Sequence, residues 1–374
     1  MRTALTNKLT NIANAIREKT GSTELLTLDA MPTAISSITT GEGGGLPDGA
    51  LTITGDHDYM FYKDNWSWFF NAYKDKITTS DISSMASMFR NTNQIEEIPF
   101  DLNLKANTNV DAIYLFSNCS RLIKPPYIKG KLGSVNNFFD NCIRLVDIPE
   151  DWASYIDWSH INSYNYAGIQ SFFSGCQGLK SIPQSLLNNL WSTGTSGTYV
   201  VYNYMFNNCY ALSGPIKVGI QKAALTANRC GSMVNNCHRL SNLTFATQAD
   251  GTPEVATWKT QTLDFSVSVG YGTVNNITGY SGITADKEVI DDATYKALKN
   301  DPDWFTTKVE YSRYNLASAI ETLNSLPDTS AYGTNTIKFK RGAGSATDGG
   351  GITDEGIAAA AASASARGWT VSLV

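Results

Sequence analysis

The side chains that most often perform chemistry are few in this chain of 374 residues, and their spacing matches no catalytic motif. The three histidines, His57, His160 and His238, lie in no His-Glu-x-x-His pattern and at no Cys/His spacing typical of zinc sites. No Gly-x-Ser-x-Gly segment is present. The glycine-rich segment 342–351 lacks the Lys-Ser/Thr of a phosphate-binding loop. We therefore predict no enzymatic activity, no metal and no cofactor.

An aromatic segment after Pro149 is the first choice for ligand binding. Flat rings beside Asn, Ser and Asp suit sugar recognition, and Tyr and Trp also dominate protein interfaces. On this hypothesis, changing the two tryptophans to Ala weakens binding and spares stability. The alternative is that the rings pack against the rest of the chain. The candidate residues are Trp152, Tyr155, Trp158, His160, Tyr164 and Tyr166.

Four charged positions are the second choice for ligand binding. They alternate in sign, which is more typical of a solvated surface than of a site for one charged ligand. They are Glu97, Lys124, Asp147 and Lys180.

The cysteines are the remaining group with reactive side chains, and their pattern indicates a structural role. No Cys-x-x-Cys pair is present, as a zinc cluster would require. Free cysteine is among the most buried residue types. We predict buried, reduced thiols stacked in one column, with Cys230 outside it. The members of the column are Cys119, Cys142, Cys176, Cys209 and Cys237.

These five cysteines belong to a segment that occurs six times, with the template apolar-Phe-x-Asn-Cys-x-x-Leu-x-x-Ile-Pro. The copies begin at Met88, Leu115, Phe138, Phe172, Met205 and Met233. The three-residue steps from Phe to Cys to Leu suit a short helical turn, and the closing Leu-x-x-Ile-Pro suits a brief strand. One such unit cannot bury its own apolar face, whereas a stack can. The predicted fold class is an α/β repeat solenoid, a leucine-rich-repeat-like array of short helical turns and short parallel strands.

The N-terminal segment predicts a separate helical module. Leu5, Leu9, Ile12 and Ile16 form a narrow apolar stripe at steps of four, three and four. We expect this stripe to form an oligomer or attachment interface, most simply in a homotrimer; a helical hairpin packed on the chain is the alternative. The predicted domains are a helical module at 1–40, a Gly-rich linker at 41–50, an N-terminal cap at 51–87, the repeats at 88–270 and a C-terminal cap at 271–374.

Both caps have a predicted secondary structure. In the first, residues 51–54 should form a strand, and 66–77 a helix with Trp66, Phe69, Phe70 and Tyr73 on its inner side. The end of the chain reads as strand, loop, helix and strand, with Thr353 as the helix N-cap.

The Phe-x-x-Cys-x-x-Leu core, over about residues 85–250, resembles the BspA-like leucine-rich repeats of bacterial surface proteins and phage tail proteins. It lacks the Leu-x-x-Leu-x-Leu of the better-known repeat, and its copies are unevenly spaced. Residues 16–38 resemble an N-terminal helical motif of phage tail and baseplate proteins. The resemblances imply a surface that binds a host cell.

Charge and hydropathy narrow the expected partners. A net charge of −5 argues against nucleic acid or an anionic membrane as the main partner. No apolar run is long enough for a membrane span or a signal peptide. We expect a tail-tip, baseplate or fibre protein of a phage, assembled in the bacterial cytoplasm and carried in the virion tail. Its N-terminal helices would bind other tail or baseplate proteins, and the repeats a host surface glycan or protein. The alternatives are a bacterial surface adhesin and a polysaccharide-degrading tail enzyme.

Overall fold

The fold is known from a computed structural model. It describes residues 51–146, 148–161, 168–192, 201–209, 212–220, 225, 229–237, 240–265, 272–275, 306–309, 314–342 and 351–374. The predicted helical module with Leu5, Leu9, Ile12 and Ile16 therefore lies outside the described residues. The helices are α1 (Ser67–Tyr73), α2 (Gln184–Ser192), α3 (Leu316–Ser325) and α4 (Asp354–Ala366), with a 3-10 helix at Trp152–Tyr155. Within the described ranges no helix is both long enough and apolar enough to cross a membrane.

The strands are short and fall into five separate sheets. They are β1 (Leu51–Asp56), β2 (Ile77–Ser84), β3 (Leu102–Asn103), β4 (Val110–Asp111), β5 (Ile128–Ser134), β6 (Ile156–Asp157), β7 (Ile216–Val218), β8 (Leu243–Phe245), β9 (Thr262–Asp264), β10 (Gly272–Asn275), β11 (Thr306–Val309), β12 (Asn335–Phe339) and β13 (Trp369–Leu373). The pairs β1-β2 and β7-β8 are parallel, and β10-β11 is antiparallel. Strand β5 pairs in parallel with β3, β4 and β6, and β12 with β9 and β13.

The predicted fold class, an α/β repeat solenoid with a leucine-rich-repeat-like array, is wrong. The described chain is a mixed fold of small, separate sheets and four helices, without a continuous sheet running through the copies. The predicted helical turns are also not helices. The three-residue steps from Phe to Cys to Leu come instead from consecutive tight turns, in which an N–H donates to the carbonyl three residues earlier. Cys119 N–H donates to Phe116 O at 2.9 Å, and Leu122 N–H to Cys119 O at 3.0 Å.

The Asn or Gly before the cysteine slot explains why these turns are not helical. At this position φ lies between 58° and 74° in all six copies, a left-handed conformation that Gly and Asn adopt most readily. A right-handed helix cannot include such a residue. The residues are Asn91, Asn118, Asn141, Gly175, Asn208 and Asn236.

Neighbouring copies are joined in sequence order by backbone bonds and by rings. Phe116 N–H, for example, donates to Phe138 O of the next copy at 3.0 Å, and Phe139 N–H to Phe172 O at 2.9 Å. The rings of the aromatic slot stack with centroids 5.3–6.1 Å apart and planes within 16° of parallel. We call this set of hydrogen-bonded turns the turn ladder. The stacked rings are Phe61, Phe89, Phe116, Phe139, Phe173 and Phe206.

The cysteines of the turn ladder are buried and reduced, which confirms their predicted state. Each of the five donates its S–H to the Phe carbonyl of the preceding copy, over 3.0–3.1 Å. The first copy has Thr92 in this slot, and its hydroxyl donates to Phe89 O. The slot therefore selects a small side chain that can donate a hydrogen bond in an apolar setting.

Residues 57–63 form one more turn of the same kind, which the sequence pattern missed. Phe61 N–H donates to Met88 O at 2.8 Å, and its ring stacks on Phe89 at 5.3 Å. Tyr59 and Lys63 have φ of 58° and 70°, four residues apart as in the other copies. The turn ladder thus has seven turns, of which this is the first.

The ends of the described chain agree with several predicted elements. The predicted helix at 66–77 is shorter, since Trp66 only precedes α1 and Ile77 already begins β2. Trp66 and Phe70 are buried, while Phe69 and Tyr73 pack partly buried against the core. Near the C-terminus, β12, α4 and β13 form the expected strand, helix and strand. Thr353 caps α4 by accepting a hydrogen bond from Gly356 N–H at 3.0 Å.

Candidate binding surface

The two tryptophans of the predicted site are core residues. Trp152 is 0% exposed and Trp158 is 6% exposed. Their indole N–H groups donate to Pro126 O at 2.8 Å and to Ala153 O at 2.9 Å, so both polar ends are satisfied inside the protein. These two rings therefore pack against the rest of the chain, which is the alternative to ligand binding given above for this segment. Tyr164 and Tyr166 lie outside the described residues.

Among the tryptophans and tyrosines of this segment that the structure describes, Tyr155 reaches the surface, where it belongs to a cluster on the flank of β5. Its ring is 44% exposed and meets the Tyr127 ring edge-on at 5.1 Å. Both phenols bond to Asp151, with Tyr127 O–H donating to Oδ1 at 3.0 Å and Tyr155 O–H to Oδ2 at 3.3 Å. We call Tyr127, Asp151 and Tyr155, together with the adjacent Lys129 and Asp101, the flank cluster.

Rigid elements position the flank cluster. Tyr127 directly precedes β5, and Lys129 lies on it. Asp151 directly precedes the 3-10 helix and Tyr155 is its last residue, and buried Trp152 between them fixes the helix to the core. The tyrosine rings and the carboxylate are therefore held in place by elements that are anchored in the core.

The flank cluster carries accessible charges of both signs. Lys129 Nζ lies 2.6 Å from Asp101 Oδ2, with both side chains about two-fifths exposed, and 5.8 Å from the centroid of the Tyr155 ring. The hydrogen bond to Asp151 raises the pKa of Tyr127, so this phenol remains a donor in neutral solution. One exposed ring thus lies among an ammonium group, a phenol and two carboxylates, which can bind hydroxyl, amide or amine groups of a ligand.

His160 lies nearby in a hydrogen-bonded surface turn. Ser159 Oγ is 2.6 Å from Asp157 Oδ1 and 2.7 Å from His160 Nδ1. In a catalytic triad the histidine stands between serine and aspartate, whereas here the serine stands between the other two. The hydrogen bonds from Ser159 stabilise the ionised carboxylate of Asp157 and so lower its pKa. This order of groups gives the serine no base oriented by a carboxylate.

The charged positions of second choice form no shared site among the described residues. Lys124 Nζ is 3.0 Å from Glu97 Oε1, in a pair whose side chains are about half exposed. Lys180 is exposed, and Asp147 lies outside the described residues. The observed pair fits a solvated surface, where such contacts contribute little.

Tyr127 and Asp151 were missed from the sequence, although a signal was present. Each lies just after the proline that ends a copy, Pro126 in the second copy and Pro149 in the third. Equivalent positions of consecutive copies lie side by side, so these two segments had to be neighbours.

No protein-family model, curated protein or solved structure matches the chain.

Proposed function

We propose that this protein is a phage tail-tip, baseplate or fibre protein that binds the surface of the bacterial host through the flank cluster. One observation carries the receptor contact: an exposed Tyr155 ring held beside Asp151, Tyr127 and Lys129 on the buried Trp152. The ligand is a host surface glycan or protein. Such a ligand meets an aromatic face together with donors and acceptors for its polar groups.

Preorganisation supports this assignment. Tyrosine offers a large contact area with few rotatable bonds, and the bonds to Asp151 already fix both rings. Because these side chains are already ordered, fixing them on ligand binding costs little free energy. The Tyr155 ring is 44% exposed, so the core does not depend on it, whereas Tyr127 also packs partly buried against the core.

The place in the particle rests on the sequence resemblances of residues 16–38 and of the repeat core. In this proposal, residues 1–40 attach the protein to other tail or baseplate proteins as a homotrimer, and the described part faces the host. Mass spectrometry of purified virions tests the location. Detection on the surface of uninfected bacteria, with none in virions, would support the adhesin alternative.

The receptor contact is tested with Tyr155→Ala in labelled protein binding to host cells. An anchoring aromatic contributes at least about 1 kcal/mol, so we expect at least about fivefold weaker binding with an unchanged melting temperature. The matched control is Tyr332→Ala, because Tyr332 is equally exposed, at 42%, and lies outside the flank cluster. Equal binding by both variants and the wild type would refute the assignment.

A further inference from the structure

A second surface lies on the outer side of the first three turns of the turn ladder. Tyr59 and Tyr62 meet edge-on, with ring centroids 5.4 Å apart. Lys63 Nζ lies 4.8 Å from the centroid of the Tyr62 ring, and the Arg90 guanidinium lies 4.3 Å from that of Tyr114. We call Tyr59, Tyr62, Lys63, Arg90 and Tyr114 the turn-face cluster.

Two of these tyrosines occupy a backbone position that suits other residues better. Tyr59 and Tyr114 have φ of 58° and 57°, in the left-handed region that bulky side chains rarely adopt. Tyr59 is 54% exposed, so the core does not require its ring. Unfavourable backbone conformations concentrate at functional sites. Four other turns hold a smaller residue here with the same sign of φ: Ser87, Asn137, Ser171 and Ser232.

The two cations of the cluster are held by rings and not by carboxylates. Within the described ranges neither Lys63 nor Arg90 has a carboxylate oxygen within ion-pair distance. Arg90 Nε is buried and has no hydrogen-bond acceptor in this part of the structure. The exposed Lys63 ammonium and the terminal N–H groups of the half-buried Arg90 are therefore the donors proposed to meet oxygen atoms of a ligand.

The cluster is extended along the turn ladder. The stacked Phe rings of these three turns have centroids 5.3 and 5.5 Å apart, so Tyr59 and Tyr114, two turns apart, are separated by about 11 Å. A row of side-chain amides, Asn91, Asn118 and Asn141, continues in the same direction. A long ligand with many hydroxyl groups matches such a row of rings, donors and acceptors.

Neighbouring carboxylates decide against an acidic ligand. Asp140 lies on the fourth turn, in the row that contains Arg90. Asp58 accepts hydrogen bonds from Ser84 and Ala86 beside the first turn. A polyanion running along the ladder would meet these groups, which repel it.

We propose that the turn-face cluster binds an extended, uncharged carbohydrate chain, with Tyr59 and Tyr114 contacting its sugar rings and Arg90 and Lys63 donating to its oxygens. This site goes beyond the proposed function, because it is separate from the flank cluster and stands whether or not Tyr155 contacts a host cell.

The test measures binding of the purified full chain to immobilised dextran, mannan and galactan, with polygalacturonate as the acidic counterpart. We expect at least one neutral polymer to bind and polygalacturonate to bind more weakly. In the double variant Tyr59→Ser/Tyr114→Ser, binding should fall at least tenfold with no loss of melting temperature, because Ser87 shows that serine fits this turn position. The matched control is Tyr204→Ser on the sixth turn, at the same position and 43% exposed, which should bind like the wild type.

Four results would overturn the proposal: no binding to any neutral polymer, stronger binding to polygalacturonate, an equal loss in Tyr204→Ser, or a loss that follows the folded fraction. Host attachment that proteases abolish, without any polysaccharide binding, would show a protein partner instead. Tyr155→Ala separates the two proposals, since it should leave polysaccharide binding intact.

Discussion

Raising the pH should unfold this protein through its buried thiols. Burial raises the pKa of five cysteines. The pKa rises to about 12 for Cys119 and Cys230, and well above its ordinary value for Cys142, Cys176 and Cys209. In the unfolded chain the same thiols ionise near pH 8.5. Unfolding therefore releases protons above that pH, so the stabilisation is complete below pH 8.5 and declines as the pH rises further.

The size of the effect follows from the number of thiols. Each protonated thiol loses about 1.4 kcal/mol of stabilisation for each pH unit above 8.5. Five thiols together lower the free energy of unfolding by about 7 kcal/mol at pH 9.5. Domains are typically stable by about 5–15 kcal/mol, so most of the stability should be lost within this interval.

Urea denaturation under reducing conditions at pH 7.5, 8.5 and 9.5, followed by tryptophan fluorescence, measures this dependence. The control is Cys142→Ala, which removes the thiol that donates to Phe116 O at 3.0 Å. This variant should be less stable at pH 7.5. Above pH 8.5, however, its free energy of unfolding should fall less steeply with pH, because unfolding releases protons from four buried thiols and not from five. A free energy of unfolding that stays constant to pH 9.5, or rapid labelling of the native thiols by DTNB at pH 8, would refute the reasoning.

Three further outcomes test the packing and the assembly. Phe139→Ala should cost about 3–5 kcal/mol of stability in denaturant titrations, because this fully buried ring stacks on both neighbours. Trp152→Ala should cost a similar amount, while Tyr155→Ala should change stability by less than about 0.5 kcal/mol; equal effects would contradict their assigned positions. Deleting residues 1–45 should leave a folded protein that no longer forms a homotrimer, and an unchanged number of subunits in light scattering would show that the attachment module is wrongly placed.

The core could be predicted from the sequence because its apolar slots repeat in type in nearly every copy, with Thr92 as the polar exception. Phe139, Cys142 and Leu145 are all fully buried, as their recurrence indicated. Their spacing did not reveal the backbone, since three-residue steps fit a helical turn and a series of tight turns equally well. The discriminating residue was Asn141, whose φ of 58° belongs to a turn. The predicted solenoid of helical turns and strands failed at this point.

The candidate sites were harder to predict, because exposure depends on neighbours distant in sequence. Trp152 and Tyr155 are three residues apart in one aromatic segment, yet one is buried and the other is 44% exposed. Pro126, which accepts the Trp152 indole bond, lies 26 residues earlier. The first turn escaped the pattern because Asp64 stands where later copies have cysteine. In the later copies Asn or Gly, which readily adopt the left-handed conformation, stands two residues after the Phe. In the first turn this position is Lys63, so that pattern would also have missed the turn.

The turn ladder separates what keeps the protein folded from what touches its surroundings. Position by position, its inner slots hold Phe and Cys almost throughout, while one outer position accepts Tyr59, Asn137 and Ser232 on nearly the same backbone. The chain itself thus shows that this outer position tolerates exchange. A gene encoding such a ladder can change its target by substitutions on the outer side alone, and each change leaves the stacked rings and the thiol bonds untouched. The same short segment can therefore change what it binds and still keep its fold.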